Sequence, residues 1–132
     1  MKYLNIILLL ISFSMSAQEW ITDDNFDSKI NERKAFGDDE SLPVAVEFYA
    51  KFNDANKFGD WDKLENVIYY RADISTSPEA KKKYKVRMAP TLIIFKDGIK
   101  EEVFKAGLDL ELPADLNDIQ EAINEINSAS KF

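Results

Sequence analysis

The sequence predicts one small α/β domain, and three observations lead there. Residues 44–50 read as a strand that runs straight into a helix start at Asn53. Two more strand-like runs, 67–74 and the stretch after Pro90, are separated by a Ser77-Pro78 helix-start signal. The chain then closes on apolar residues at helical spacing, Leu116, Ile119, Ile123 and Ile126. A strand feeding a helix N-terminus is also where open α/β sheets usually place their chemistry.

The first segment reads as a targeting signal. Lys2 gives a positive start, residues 4–13 are mostly apolar, and small residues follow at Ser14, Ser16 and Ala17. Cuts before Ala17 and before Gln18 both fit, which leaves 1–17 as a signal peptide and 18–132 as one domain. The apolar run is too short to span a bilayer, so no membrane span is expected in the mature chain. An exported bacterial protein, periplasmic or secreted, is the expectation.

Charge and composition narrow the function. The formal charge is −7, and loss of the single leader cation Lys2 takes it to −8. That balance disfavours nucleic acid and anionic lipid as partners. The sequence contains no His and no Cys. It therefore lacks the commonest general base, the commonest metal ligand and any thiolate. No cofactor and no metal are expected.

Each element has a local cause. Trp20 and Ile21 suit a short edge strand, and Thr22 or Asp23 could cap a helix to about Arg33 with Phe26 and Ile30 facing the core. Gly37, three acidic residues and Ser41 make 34–42 a loop. Pro43 opens the next strand, where Val44, Val46 and Phe48 alternate with Ala45, Glu47 and Tyr49. Asn53 suits a helix N-cap, with Asp54 where the dipole favours an anion, and Gly59 and Asp60 cut that helix short. Ser77 is the expected cap of the helix through Lys85. Lys96-Asp97-Gly98 signals a hairpin before the last strand, 99–106. Asp115 or Asn117 caps the closing helix.

Two separated motifs carry a family resemblance. The stretch Val46-Glu-Phe-Tyr-Ala-Lys-Phe-Asn-Asp-Ala-Asn-Lys-Phe58 resembles the active-site segment of thioredoxins, and Val86-Arg-Met-Ala-Pro-Thr-Leu-Ile-Ile-Phe-Lys-Asp-Gly98 resembles their stretch ending in Pro-Thr-Leu-x-x-Phe-x-x-Gly. The likeness covers about residues 20–127. It implies the thioredoxin fold, a central mixed β-sheet flanked by helices, with a cis-Pro loop at Met88, Ala89, Pro90 and Thr91. It also places Asn53 and Asn56 where thioredoxins carry their two cysteines, and Asp54 and Ala55 in place of Gly-Pro. Thiol–disulfide exchange needs a thiolate, so the resemblance implies a redox-inactive member. In thioredoxins the helix after this turn is longer, by about two turns.

The candidate site residues follow from that match. Asn53, Asp54, Ala55 and Asn56 form a degenerate active-site turn whose N–H groups would be free to bind. Glu47 stands where thioredoxins bury an acid, and Arg71 matches a nearby Lys, which implies a buried ion pair. Met88, Ala89, Pro90 and Thr91 form the loop that pairs with extended substrate backbone in this family. The shortened helix should leave Phe58 or Trp61 less covered, and Phe52 and Tyr49 lie on the same edge. Lys81, Lys82 and Lys83 read as a solvated helix face, and Asp38, Asp39 and Glu40 as a solvated loop. The expected function is a non-catalytic, protein-binding module, chaperone-like or a subunit of an envelope assembly, whose partner is a protein or an extended peptide segment. The alternatives are an accessory that presents substrates to a separate thiol enzyme, or a non-redox enzyme using Glu47 or Asp54.

Overall fold

The computed structural model describes residues 19–31 and 42–129. The leader at 1–17, Arg33 at the expected end of the first helix, and the acidic run Asp38, Asp39 and Glu40 lie outside the described residues.

Among the described residues, five strands and three α-helices appear in the order β1 (Glu19–Trp20), α1 (Phe26–Ile30), β2 (Val44–Tyr49), β3 (Ile68–Asp73), α2 (Pro78–Lys83), β4 (Thr91–Lys96), β5 (Ile99–Lys105) and α3 (Leu116–Ala129). The strands form one mixed sheet, β1-β3-β2-β4-β5, in which β2 runs parallel to β3 and antiparallel to β4. This is the thioredoxin fold expected above.

The central strand β2 is buried at every position because both faces of the sheet are covered. Val44, Val46 and Phe48 pack with Phe26, Ile30 and Ala80, from α1 and α2. Ala45, Leu92 and Ile94 pack with Phe58, Ile119 and Ile123, so α3 and the segment after β2 cover the other face. Period-two alternation therefore sorts residues between two cores, not between core and solvent.

Several local expectations change. The stretch after β2 is not a capped α-helix. It forms two 3₁₀ segments, Lys51–Asn56 and Trp61–Lys63, and Asn53 lies inside the first at φ −121, ψ 29 with no cap bond. Its amide is engaged elsewhere, as described below. Nor does Ser77 cap α2. The Asp23 carboxylate accepts the Glu79 and Ala80 N–H groups at 3.0 and 2.9 Å, while Ser77 Oγ is buried without a partner. An anion serves two end donors at once and gains from the helix dipole, so it displaces a hydroxyl that serves one. Asp23 is thereby withdrawn from α1, which starts only at Phe26, preceded by Asn25, whose Oδ1 accepts the Thr22 N–H at 2.8 Å.

Other elements follow their local signals. Asp115 and Asp118 exchange side-chain-to-backbone bonds of 2.9 and 3.1 Å, a reciprocal cap that selects Asp115 over Asn117. The β4–β5 turn holds Asp97 at φ 52 and Gly98 at φ 79. A Cβ on Gly98 would lie 2.3 Å from Asn31 Oδ1, so both the backbone and the neighbour require glycine there.

Candidate functional site

The C-terminal end of β2, the start of β4 and the 107–112 loop meet at one end of the sheet. Strand β2 delivers the chain to Lys51–Asn56, and β4 begins directly after the cis Ala89–Pro90 bond. Asn53 Nδ2 donates to the carbonyls of Ala89 and Leu110, both at 2.9 Å. Asn56 Nδ2 donates to Asn53 Oδ1 at 2.8 Å and to the same Leu110 carbonyl at 3.1 Å. Two amides at i, i+3 thus tie three separate segments together. Neither serves as a helix cap.

The edge is closed by its own side chains at this point. Ala89, Pro90 and Thr91 are buried, Met88 is half-buried, and the Thr91 hydroxyl donates back to the Met88 carbonyl. Asp54 and Ala55 are exposed, with Asp54 paired to Lys57 at 3.3 Å. The expected exposure of Phe58 is corrected. It is 8% exposed and packs in the α3-side core, because the short 3₁₀ segment turns its side chain inward to fill the room a longer helix would occupy. Trp61 is partly covered, stacked on Tyr69 at 5.8 Å. Among the described residues the most exposed large apolar side chains are Leu108, at 100%, and Phe52, at 78%, ahead of Ile99 and Trp20. Phe52 and Leu108 stand on the two segments that the asparagines join.

Beneath the turn lies a charged cluster. Glu47 and Arg71 are opposite each other on parallel strands β2 and β3, and both are buried. Glu47 Oε1 is 3.0 Å from Arg71 Nη2 and also accepts the Tyr69 hydroxyl. Glu47 Oε2 accepts the Phe58 N–H at 2.9 Å, and Arg71 Nη2 donates to the Phe58 carbonyl at 3.2 Å. The pair therefore satisfies both backbone groups of one buried residue. Burial, with the Glu47 carboxylate beside it, holds the Tyr69 hydroxyl well above its ordinary range.

Tyr69 was not among the sequence candidates, although a signal for it existed. It lies two residues before Arg71 and so shares its face of β3. The Phe58 backbone and the Leu110 carbonyl had no such signal, because a backbone acceptor is the same for every residue type.

The chemistry available here is limited. Amides exchange neither electrons nor protons near neutral pH, and the chain has no thiol. Among the described residues, no group of three or more Asp or Glu could hold a metal ion, and no helix is long and apolar enough to cross a membrane.

No family model matches the chain. Among curated proteins, it is 33% identical over 87 residues to a thioredoxin of Staphylococcus epidermidis, covering 59% of this chain and 73% of that protein. It is 35% identical over 63 residues to thioredoxin-2 of Pyricularia oryzae, a match that spans only 37% of that longer protein and 43% of this one. Among solved structures, Malassezia sympodialis thioredoxin aligns with a TM-score of 0.59 at 19% identity, covering 83% of this chain and 90% of that one. A cysteine-to-serine mutant of the Entamoeba histolytica protein aligns with a TM-score of 0.54 at 19% identity, over 83% and 99%. A designed protein aligns similarly, at 0.58 and 19%, over 85% and 93%.

Proposed function

This chain belongs to the thioredoxin family, and from that premise we propose that it is an exported, non-catalytic module that binds another protein through the edge at Asn53–Asn56 and Met88–Thr91. The observation that carries the reading is the asparagine staple with its two exposed apolar neighbours. Asn53 and Asn56 occupy the positions of the family's thiols and spend their donors on the Ala89 and Leu110 carbonyls. They hold the edge in one shape without any redox chemistry. Phe52 and Leu108 then stand free on either joined segment. Large apolar side chains on a rigid, polar-rimmed surface suit contact with a partner. Because Ala89, Pro90 and Thr91 are buried, the contact runs over Phe52, Asp54, Met88 and Leu108, with the loop as support. Export is supported by the apolar stretch 4–13 followed by small residues.

Two measurements test this. Purified protein added to insulin and dithiothreitol should leave the rate of disulfide reduction at background; catalysis that survives repurification overturns the non-catalytic reading. Affinity capture from a bacterial envelope fraction, with mass spectrometry, should yield a partner that Phe52→Ser with Leu108→Ser no longer retains. A partner lost only from Lys81→Glu with Lys82→Glu, with every variant folded, would move the interface to the basic helix.

A further inference from the structure

A group of cations without ion pairs lines a cleft that shares no residue with the asparagine edge. The cleft, of about 450 Å³, is lined by Ile74, Pro78, Lys81, Lys82, Lys85, Val86 and Arg87. Its apolar part comes from Ile74, Pro78 and Val86, and its rim from four cations. Among the described residues none of the four forms an ion pair, whereas the neighbouring Lys83, outside the cleft, pairs with Asp27 at 3.5 Å. In a chain of net charge −7, four cations gathered around one apolar hollow run against the overall balance.

The backbone adds an independent observation. Helix α2 ends with Val86 N–H donating to the Lys81 carbonyl at 2.9 Å and Lys85 N–H to the Lys82 carbonyl at 3.3 Å. These two bonds define a helix end whose penultimate residue is left-handed, a place where glycine is the usual choice. Here that residue is Lys85, at φ 56. A side chain kept where glycine is easier invites a functional reading, and Lys85 lines the cleft.

We infer that this cleft binds a small organic phosphate, a phosphate monoester carried on an apolar body. A carboxylate carries one negative charge on two oxygens, while a phosphate monoester offers three acceptor oxygens and close to two negative charges. That matches four unpaired cations better. The apolar residues would cover the body of the ligand, and the volume lies within the range of small-molecule sites. The site is separate from the proposed protein-binding edge, although Arg87 directly precedes Met88.

Phenyl phosphate and inorganic phosphate are the probes, titrated into the full protein at low salt and followed by calorimetry and amide NMR. Phenyl phosphate should bind one to one, more tightly than inorganic phosphate, and shift the amides of residues 85–87. Lys85→Gly should fold at least as stably, since it relieves the left-handed backbone, yet bind about tenfold more weakly. Lys82→Gln with Arg87→Gln should weaken binding by at least as much, and Lys83→Gln should leave it unchanged. No saturable binding overturns the inference, as does equal binding of the two phosphates or an equal loss in Lys83→Gln. Binding to phosphatidylglycerol vesicles without binding phenyl phosphate also overturns it, and makes the face a membrane contact.

Discussion

Two of the tethers that hold the irregular segment between β2 and β3 differ in chemistry and in direction: one satisfies the segment's own backbone, and the other sends side chains out to neighbouring carbonyls. The segment has no α-helical ladder, so its backbone groups need partners from elsewhere. Beneath it, Glu47 and Arg71 take both backbone groups of Phe58 in a site closed to water. At its outer end, Asn53 and Asn56 reach the Ala89 and Leu110 carbonyls from half-buried positions. The inner tether is ionic and the outer one is neutral. Charges in a dry site make strong bonds only while every partner is present, whereas amides lose about one bond's worth at a time. The inner tether should therefore fail abruptly and the outer one gradually.

The sharpest break is Arg71→Met. It leaves Glu47 buried without its counter-charge and the Phe58 carbonyl without a donor, so stability should fall by about 3–5 kcal/mol in urea unfolding. Combining it with Glu47→Met removes the stranded charge and should cost less than the two single changes added together, although the Phe58 N–H then loses its acceptor. A double mutant as unstable as the sum would show that the two groups are not coupled.

The outer tether should respond more mildly. Asn53→Ala removes donors to two carbonyls and the acceptor for Asn56, worth about 2 kcal/mol; Asn56→Ala should cost about 1 kcal/mol. Asn53→Asp should be worse than Asn53→Ala, because a carboxylate would face two carbonyls with no hydrogen to give. Equal effects of alanine and aspartate in the same unfolding assay would mean that the amide bonds carry no stability.

How much of each tether was legible differs for a physical reason. Glu47 and Arg71 sit on strands whose pairing follows from the thioredoxin resemblance, and strand periodicity puts them on one face. The outer tether was visible only as two asparagines. A local rule made Asn53 a cap, but tertiary acceptors on residues 36 and 57 positions away claimed its amide. The same happened at α2, where Asp23 outcompetes the adjacent Ser77 across 57 residues to reach Ala80. Local signals held where the partner is nearby, as in the Asp115–Asp118 cap and the Asp97-Gly98 turn. They failed where a long-range partner offered a stronger bond, and Phe58 turned inward for a related reason, to fill space that no local pattern describes.

The smallest effect refines the inner tether by pH. Tyr69 donates to the same Glu47 oxygen that Arg71 engages. Burial, then the nearby carboxylate, raises its ionisation above the value of 10.0 that an unfolded tyrosine shows. A group whose folded value is raised keeps its full contribution below the unfolded value and loses it as pH climbs beyond. Below pH 10 the hydroxyl is protonated in both states and nothing is lost. Above pH 10 the unfolded chain releases this proton and the folded one retains it, so unfolding gains about 1.4 kcal/mol per pH unit from this residue. Between pH 9 and 11 the wild type should therefore lose stability more steeply than Tyr69→Phe, which has no proton to release. The two slopes come from urea unfolding at each pH, and lysine titration is common to both proteins. Parallel slopes would mean that Tyr69 ionises in the folded protein as it does in the unfolded chain, and that the inner tether consists of Glu47 and Arg71 alone.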